Sequence, residues 1–365
     1  MKITCVKNNL EKAVLAASRV VSTKPTLPIL NNLLLSVDGG RLKVSATDLE
    51  VGLNYWVGAK IDGIGGVAIP AKLFLDFISN ISEEKIDLVV DNFDLKITGK
   101  GVEAIIKGFN PEEFPLIPSL KKEPLVIIPT GVFQKNLSEV VFAASIDDAR
   151  PVLAGVYFNF NQNNLKIVAT DSYRLAERKI KIDKKTTKET SFIIPTRVAQ
   201  ELTRLCKDEG EVKIVFGENQ VLFDFGDFYI VSRVIDGQYP NYEQIIPETY
   251  STKAKAKKSE LEKAVKLASF FAKEAAGNIK IEVKNKKGIF VGAQASQIGS
   301  NKTQIEAEVE GQDLEILFNA KYILDMLSSS SATEIILEFN GRLSPGVFKP
   351  FGDQDYIYII MPLRG

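Results

Sequence analysis

The chain has 365 residues, 45% of them hydrophobic and 25% charged, with 46 basic residues balanced by 46 acidic ones and no histidine. That length suits two or three domains of about 100–150 residues, and the missing histidine excludes Ser-His-Asp and Cys-His catalysis, His-ligated zinc and any imidazole base. A net charge of zero means that a nucleic-acid partner requires cations sorted onto one face.

The opening segment MKITCVKNNLEKA breaks its apolar run at Lys7, Asn8 and Asn9, unlike a signal peptide, so the expected compartment is the cytoplasm. LEKAVLAAS at 10–18 then places Leu10, Val14 and Ala17 at helical spacing, with Asn8 or Asn9 expected as the cap. Asp38-Gly39-Gly40 marks a hairpin, and RLKVSATDLE at 41–50 alternates Leu42, Val44 and Ala46 into an expected turn centred on the alanine. A second helix follows in IPAKLFLDFI from Ile69, with Leu73, Phe74, Phe77 and Ile78 on its apolar side, and then the Pro-rich loop FNPEEFPLIP at 109–118.

The pattern then begins again. LSEVVFAAS at 137–145, NLKIVATDSYRLA at 164–176, IPTRVAQELTRLC from Ile194 and the loop GQYPNYEQIIP at 237–247 form a second copy. LEKAVKLAS at 261–269, GIFVGAQASQIGS at 288–300 and FNAKYILDML from Phe318 form a third, with Ser259 and Glu262 as an expected capping box. Ala46, Ala169 and Ala293 are 123 and 124 positions apart, and Ile69, Ile194 and Phe318 are 125 and 124 apart. The expected organisation is α+β, three tandem domains at 1–122, 123–249 and 250–365. Linkers are expected near 119–123 and near 248–258, where the run KAKAKK is read as lacking apolar residues. Similar domains joined head to tail extend an arc, which either closes with a partner or grows as a filament. The cysteines, Cys5 and Cys206, form no metal-spaced pair and are expected to pack as small apolar residues in a reducing compartment.

Three such repeats, together with TKPTLPILNNLLL at 23–35, ATDSYRLA at 169–176 and the terminal YIIMPLR at 358–364, resemble the bacterial DNA polymerase III beta subunit family, the replicative sliding clamps, from Met1 to Arg364. The resemblance implies a head-to-tail homodimeric ring of six similar domains, helices inside and sheets outside, that encircles duplex DNA, tethers the replicative polymerase and carries out no catalysis. No cofactor or metal is implied.

A ring that slides needs phosphate contacts that are blind to sequence. Candidate DNA-facing cations on the helices are Lys12, Arg19, Lys72, Lys135, Arg197, Arg204 and Lys207, with Lys263, Lys266, Lys273 and Lys321 in the third repeat. Lys72, Arg197 and Lys321 occupy equivalent places, and the resemblance adds Lys24. Balanced total charge then implies an acidic outer wall.

The resemblance also implies a pocket between the second and third domains for short peptides of the polymerase, the clamp loader and other replication proteins. The matching positions in the second repeat are Leu153, Thr170, Ser172, Arg174, Leu175, Pro240, Gln244 and Ile245. In the third they are Asn319, Tyr322, Leu343, Ser344, Ile360, Met361, Pro362, Leu363 and Arg364. Aliphatic residues and an adaptable Met make a greasy cleft, and a few polar groups orient a peptide backbone. Tyr173 stands where many relatives carry His, and Gln244 where an Arg can occur, so peptide preference is expected to differ. For closure of the ring, Ala104 and Ile106 of one copy are expected to face Phe270 and Phe271 of the other.

Two rival readings are an enzyme and a triplicated peptide scaffold that ignores DNA. Asp147-Asp148 and Asp353 with Asp355 could hold Mg²⁺, but neither has a third carboxylate or a phosphate-cradling loop beside it.

Overall fold

The computed structural model describes the chain except residues 22–26, 148, 162, 183–188, 207–208, 274–275 and 364–365. The first repeat comprises β1 (Lys2–Val6), α1 (Lys7–Val20), β2 (Asn32–Asp38), β3 (Arg41–Thr47), β4 (Val51–Val57), β5 (Ala59–Asp62), β6 (Gly66–Pro70), α2 (Ala71–Asn80), β7 (Lys85–Asp91), β8 (Asp94–Gly99) and β9 (Val102–Lys107). The second comprises β10 (Val126–Pro129), α3 (Thr130–Val141), β11 (Gly155–Asn161), β12 (Asn164–Thr170), β13 (Arg174–Lys181), β14 (Thr190–Pro195), α4 (Thr196–Leu205), β15 (Glu211–Phe216), β16 (Gln220–Asp224) and β17 (Phe228–Arg233). The third comprises β18 (Thr252–Lys257), α5 (Lys258–Phe271), β19 (Asn278–Lys284), β20 (Gly288–Ala295), β21 (Gly299–Ile305), β22 (Ala307–Gly311), β23 (Leu314–Asn319), α6 (Ala320–Ser329), β24 (Glu334–Phe339), β25 (Gly346–Pro350) and β26 (Tyr356–Ile360).

The chain divides into two compact units, residues 1–133 with 204–234 and residues 134–203 with 235–365. The first holds a sheet of order β5-β1-β7-β8-β9 and another of order β10-β15-β16-β17-β4-β3-β2-β6. The second holds β14-β11-β12-β13-β26-β25-β24-β18-β22 and β21-β20-β19-β23. Each large sheet forms where the last strand of one repeat pairs antiparallel with the fourth strand of the repeat before it. β17 meets β4 from Phe228↔Tyr55 to Ser232↔Val51, and β26 meets β13 from Tyr356↔Arg178 to Ile360↔Arg174. The corresponding strands β9 and β21 are each the outermost of their sheets.

Helices cover one face of these sheets, α1 on β3 and β4 and α5 on β20 and β21, and α1 and α5 also pack on α2 and α6 respectively. Leu10, Val14 and Ala17 of α1 and Leu261, Val265 and Ala268 of α5 are buried there, as are Phe74 and Phe318. Burying one such large side chain is worth about 1.5–3 kcal/mol.

Three expectations are corrected. The capping residues of α1 and α5 are Val6 and Lys257, and neither uses a side chain. Each first helix grows straight out of a strand, so Asn8 and Ser259 fall inside the first turn. Its leading N–H is taken by another segment of the same chain: Lys7 N donates to Glu84 O (2.9 Å), Thr130 N to Gly210 O (2.9 Å) and Lys258 N to Thr333 O (2.8 Å). The KAKAKK segment is largely strand β18, not a linker, and it runs between β24 and β22. Thr252, Ala254 and Ala256 are buried while the lysines face out, which is the period-2 alternation of a strand written with small residues. The turn expected at the alanines lies beyond them, because Ala46 and Ala169 are in strand and Ala293 sits inside β20.

The Pro-rich segments lie on the face the helices leave open. In the first unit Ile117 and Leu120 pack on Val215, Leu222 and Val231. In the second, Tyr239 and Tyr242 pack with Val168, Leu175, Ile193 and Ile359.

Candidate functional site

The Thr-Asp pair of the ATDSYRLA motif builds a tight turn between β12 and β13. Asp171 Oδ1 accepts from the N–H groups of Tyr173 and Arg174, both at 2.9 Å, and Thr170 Oγ accepts from Ser172 N at 3.1 Å while donating to Arg174 O at 2.6 Å. This closed set of side-chain-to-backbone bonds holds Ser172 in the left-handed region at φ 77°. Thr47 and Asp48 make the same bonds to Leu49, Glu50 and Val51, again with φ 77° at Leu49. The turn carbonyls then hold the end of the pairing strand: Arg233 N donates to Glu50 O and Met361 N to Tyr173 O, both at 2.8 Å.

Arg174 is buried beneath this turn. Its Nε donates to Asp171 Oδ2 (3.0 Å), Nη1 to Asp325 Oδ2 (2.5 Å) and Nη2 to Phe142 O (2.7 Å). Its guanidinium carbon also lies 4.6 Å from the centre of the Tyr322 ring. The residue therefore ties β13 to α6. Burial drives the Tyr358 phenol above its ordinary range, so it stays a neutral donor, bonded to Tyr322 O at 2.9 Å.

Beside this anchor a cavity of about 580 Å³ is lined by Leu343, Met361, Pro362 and Leu363, with Ile316, Leu317, Glu315 and Arg342. Leu363 N donates to Leu317 O (2.9 Å), laying the C-terminal tail along β23. Leu343 is 66% exposed, an open aliphatic surface rather than core. Four expected pocket residues, Leu153, Thr170, Leu175 and Ile360, are buried and do not line this cavity. Pro240, Gln244 and Ile245 are exposed, the last two on a short 3₁₀ turn, Tyr242–Ile245. Tyr322 and Ser344 are half-buried. Asn319 caps α6, its Oδ1 accepting from Lys321 N at 2.9 Å. Arg364 lies outside the described residues. Leu317 and Arg342 also line the cavity, and no sequence signal marks them, because which strand the tail joins depends on the order of the sheet.

The expected cations Lys12, Lys72, Lys135, Arg197, Arg204, Lys263, Lys266, Lys273 and Lys321 are exposed and Arg19 is half-buried, while Lys24 and Lys207 lie outside the described residues. Lys72, Arg197 and Lys321 are each the second residue of their helices. Cations in a first turn work against the helix dipole by about 0.3–1 kcal/mol; Lys321 offsets this with an i,i+4 ion pair to Asp325 at 2.6 Å. The leading N–H groups of two of these helices are already bonded, Thr196 N to Ala154 O (3.0 Å), Ala320 N to Gly277 O (2.9 Å) and Lys321 N to Asn319 Oδ1 (2.9 Å).

Ala104 and Ile106 lie on the core side of β9, Ile106 buried and Ala104 half-buried, whereas Ile105 between them is 59% exposed on the other face. Phe270 at the end of α5 is 52% exposed, and Phe271 is half-buried.

The acidic positions serve the fold. Asp353 Oδ2 lies 2.5 Å from Arg178 Nη1, and Asp147 Oδ1 accepts from Ala149 N at 2.9 Å; Asp148 lies outside the described residues. Among the described residues no group of three potential ligands is arranged to hold a metal. Burial pushes the thiols of Cys5 and Cys206 up to about 12. Among the described residues no helix is long and apolar enough to cross a membrane.

Three family models match along the chain: DNA polymerase III beta subunit, N-terminal domain, at residues 1–118, central domain at 127–241 and C-terminal domain at 243–364. The beta sliding clamp of Synechococcus elongatus is 30% identical over 377 residues, covering 100% of this chain and 99% of that protein. The beta sliding clamp of Staphylococcus aureus is also 30% identical, over 95% of this chain and 94% of its own length. Among solved structures, the DNA polymerase sliding clamp of Bacillus subtilis superposes with a TM-score of 0.94 at 28% identity, covering 100% of this chain and 99% of the other.

Proposed function

Since the chain belongs to the DNA polymerase III beta subunit family, the beta sliding clamps, and is a non-catalytic processivity clamp for DNA polymerase, we propose that two copies close head to tail around duplex DNA in the cytoplasm. The observation that carries this reading is the pair of open edges. Wherever two repeats meet within the chain, the last strand of one pairs with the fourth strand of the one before; β9 and β21 are the remaining last and fourth strands. A second copy, turned head to tail, supplies each with its partner, and such a heterologous contact made twice closes a ring.

The internal junction also supplies a register. At the β17–β4 junction Tyr229 lies opposite Asn54, whose Nδ2 donates to its hydroxyl at 2.5 Å. The equivalent positions are Glu103 on β9 and Lys302 on β21, so closure brings opposite charges together across the ladder. On the helix side Phe270 and Phe271 then meet Ala104 and Ile106. The domains are 1–122, 123–249 and 250–365, and their helices present Lys72, Arg197, Lys321 and the other helix cations to phosphates. The groove around Leu343 and Met361–Leu363 takes short hydrophobic-anchored peptides of the polymerase catalytic subunit, the clamp loader and other partners. A peptide scaffold indifferent to DNA leaves the repeated first-turn cations unexplained.

Glu103→Cys combined with Lys302→Cys tests the register. Mild oxidation is expected to convert the double variant into a covalently closed dimer, with neither single variant doing so; Cys5 and Cys206 are buried and do not compete. Failure of the double variant to cross-link in a solution that contains dimers contradicts the register.

A further inference from the structure

The second and third repeats carry the same ladder positions with different covers. In the second, Tyr157 lies opposite Val168 on one side and Ile193 on the other. The chain's own segment covers this face: the Tyr239 ring stacks on Tyr157 at 4.7 Å and 5°, and Tyr242 Oη donates to Glu177 at 2.6 Å. In the third, Lys280 lies opposite Gly292 and Leu317. These residues, with Phe290 as a wall, line an open cavity of about 460 Å³. Gly292 carries no side chain where the second repeat has Val168, because β21 comes close there: a Cβ at this position would lie 2.6 Å from Asn301 O. Leu317 lines both this cavity and the one at the C-terminal tail, so the two adjoin.

We propose that the peptide groove extends onto this face of the β21-β20-β19-β23 sheet and takes there an aromatic side chain of the partner segment flanking the anchored motif. The occupant seen in the second repeat argues for this choice: an extended segment that leaves the sheet at Ile235, whose N–H bonds Ile193 O (2.8 Å) as that of Leu363 bonds Leu317 O (2.9 Å), and then lays Tyr239 over the ladder. A ring over Gly292 packs against Leu317 and meets the Lys280 ammonium at its face, where cation–π attraction adds to apolar contact. The proposal rests on the peptide-groove reading above.

The test uses the full chain and fluorescein-labelled peptides carrying leucine and phenylalanine anchors, either alone or extended at one end or the other by four residues with Tyr or Ala among them. At one end the Tyr extension is expected to tighten binding about three- to tenfold over the Ala extension, and Lys280→Glu to remove most of that gain without changing the short peptide. With a photoreactive phenylalanine in place of the Tyr, adducts are expected in 278–282, 290–294 or 300–302. A short peptide that binds while neither extension prefers Tyr, or adducts confined to other segments, overturns the proposal. A short peptide that does not bind overturns the groove reading itself, and this inference with it.

Discussion

At the scale of single residues, Arg174 is the hinge of the account. It carries three hydrogen bonds and a tyrosine ring while almost wholly buried, and its partners come from the turn at Asp171, the end of α3 and helix α6. Arg174→Met removes one partner from a buried charged set, which typically costs about 3–5 kcal/mol and here leaves Asp325 and Asp171 to Lys321 and solvent. Urea denaturation is expected to show a loss of that order, together with weaker peptide binding; a loss under about 1 kcal/mol contradicts the geometry. The motif is legible as a string because it recurs in the repeat and carries the family resemblance; that its turn is built by Thr170 and Asp171 and not by the alanine is not. That Arg174 points inward is not either, since an arginine beside a tyrosine reads equally well as surface.

Elements show why boundaries were harder to read than periods. The six helices and their apolar stripes follow from spacing, and the two glycines after Asp38 turn with φ 55° and 73°, as the hairpin signal requires. The helix starts are not legible from capping residues, because a strand that runs directly into a helix needs no capping side chain when a neighbouring carbonyl takes the first N–H. Ser259→Ala is therefore expected to change stability by less than about 0.5 kcal/mol, where a true cap costs about 1; thermal melting of the variant checks this. β18 is hard to read for a related reason: alanine carries little hydrophobic signal, and its inward-facing role depends on β24 and β22 on either side. Ile105 and Ile106 illustrate the limit of side assignment, because one residue of register decides which of two adjacent isoleucines is core.

For the whole molecule, the repeat was the most legible feature, because equal spacing of three motifs needs no knowledge of contacts. Which strands remain unpaired was not legible, since it depends on the junctions β17–β4 and β26–β13. Electrostatics belong to this scale as well. Replacing Lys72, Arg197 and Lys321 together by Gln removes six cations from a dimer, and the slope of log affinity against log salt for DNA is expected to fall by roughly five; an unchanged slope removes these residues from the DNA-facing surface.

The central claim is topological, and one measurement addresses it. Clamps assembled on nicked circular DNA by the cognate loader are followed by gel filtration before and after a single cut linearises the circle. A closed ring is expected to co-elute with the circle at salt that abolishes ordinary phosphate binding and to be lost on cutting, because it slides off the ends. Retention that is the same on the circular and linear forms, or absent from both, would contradict encirclement.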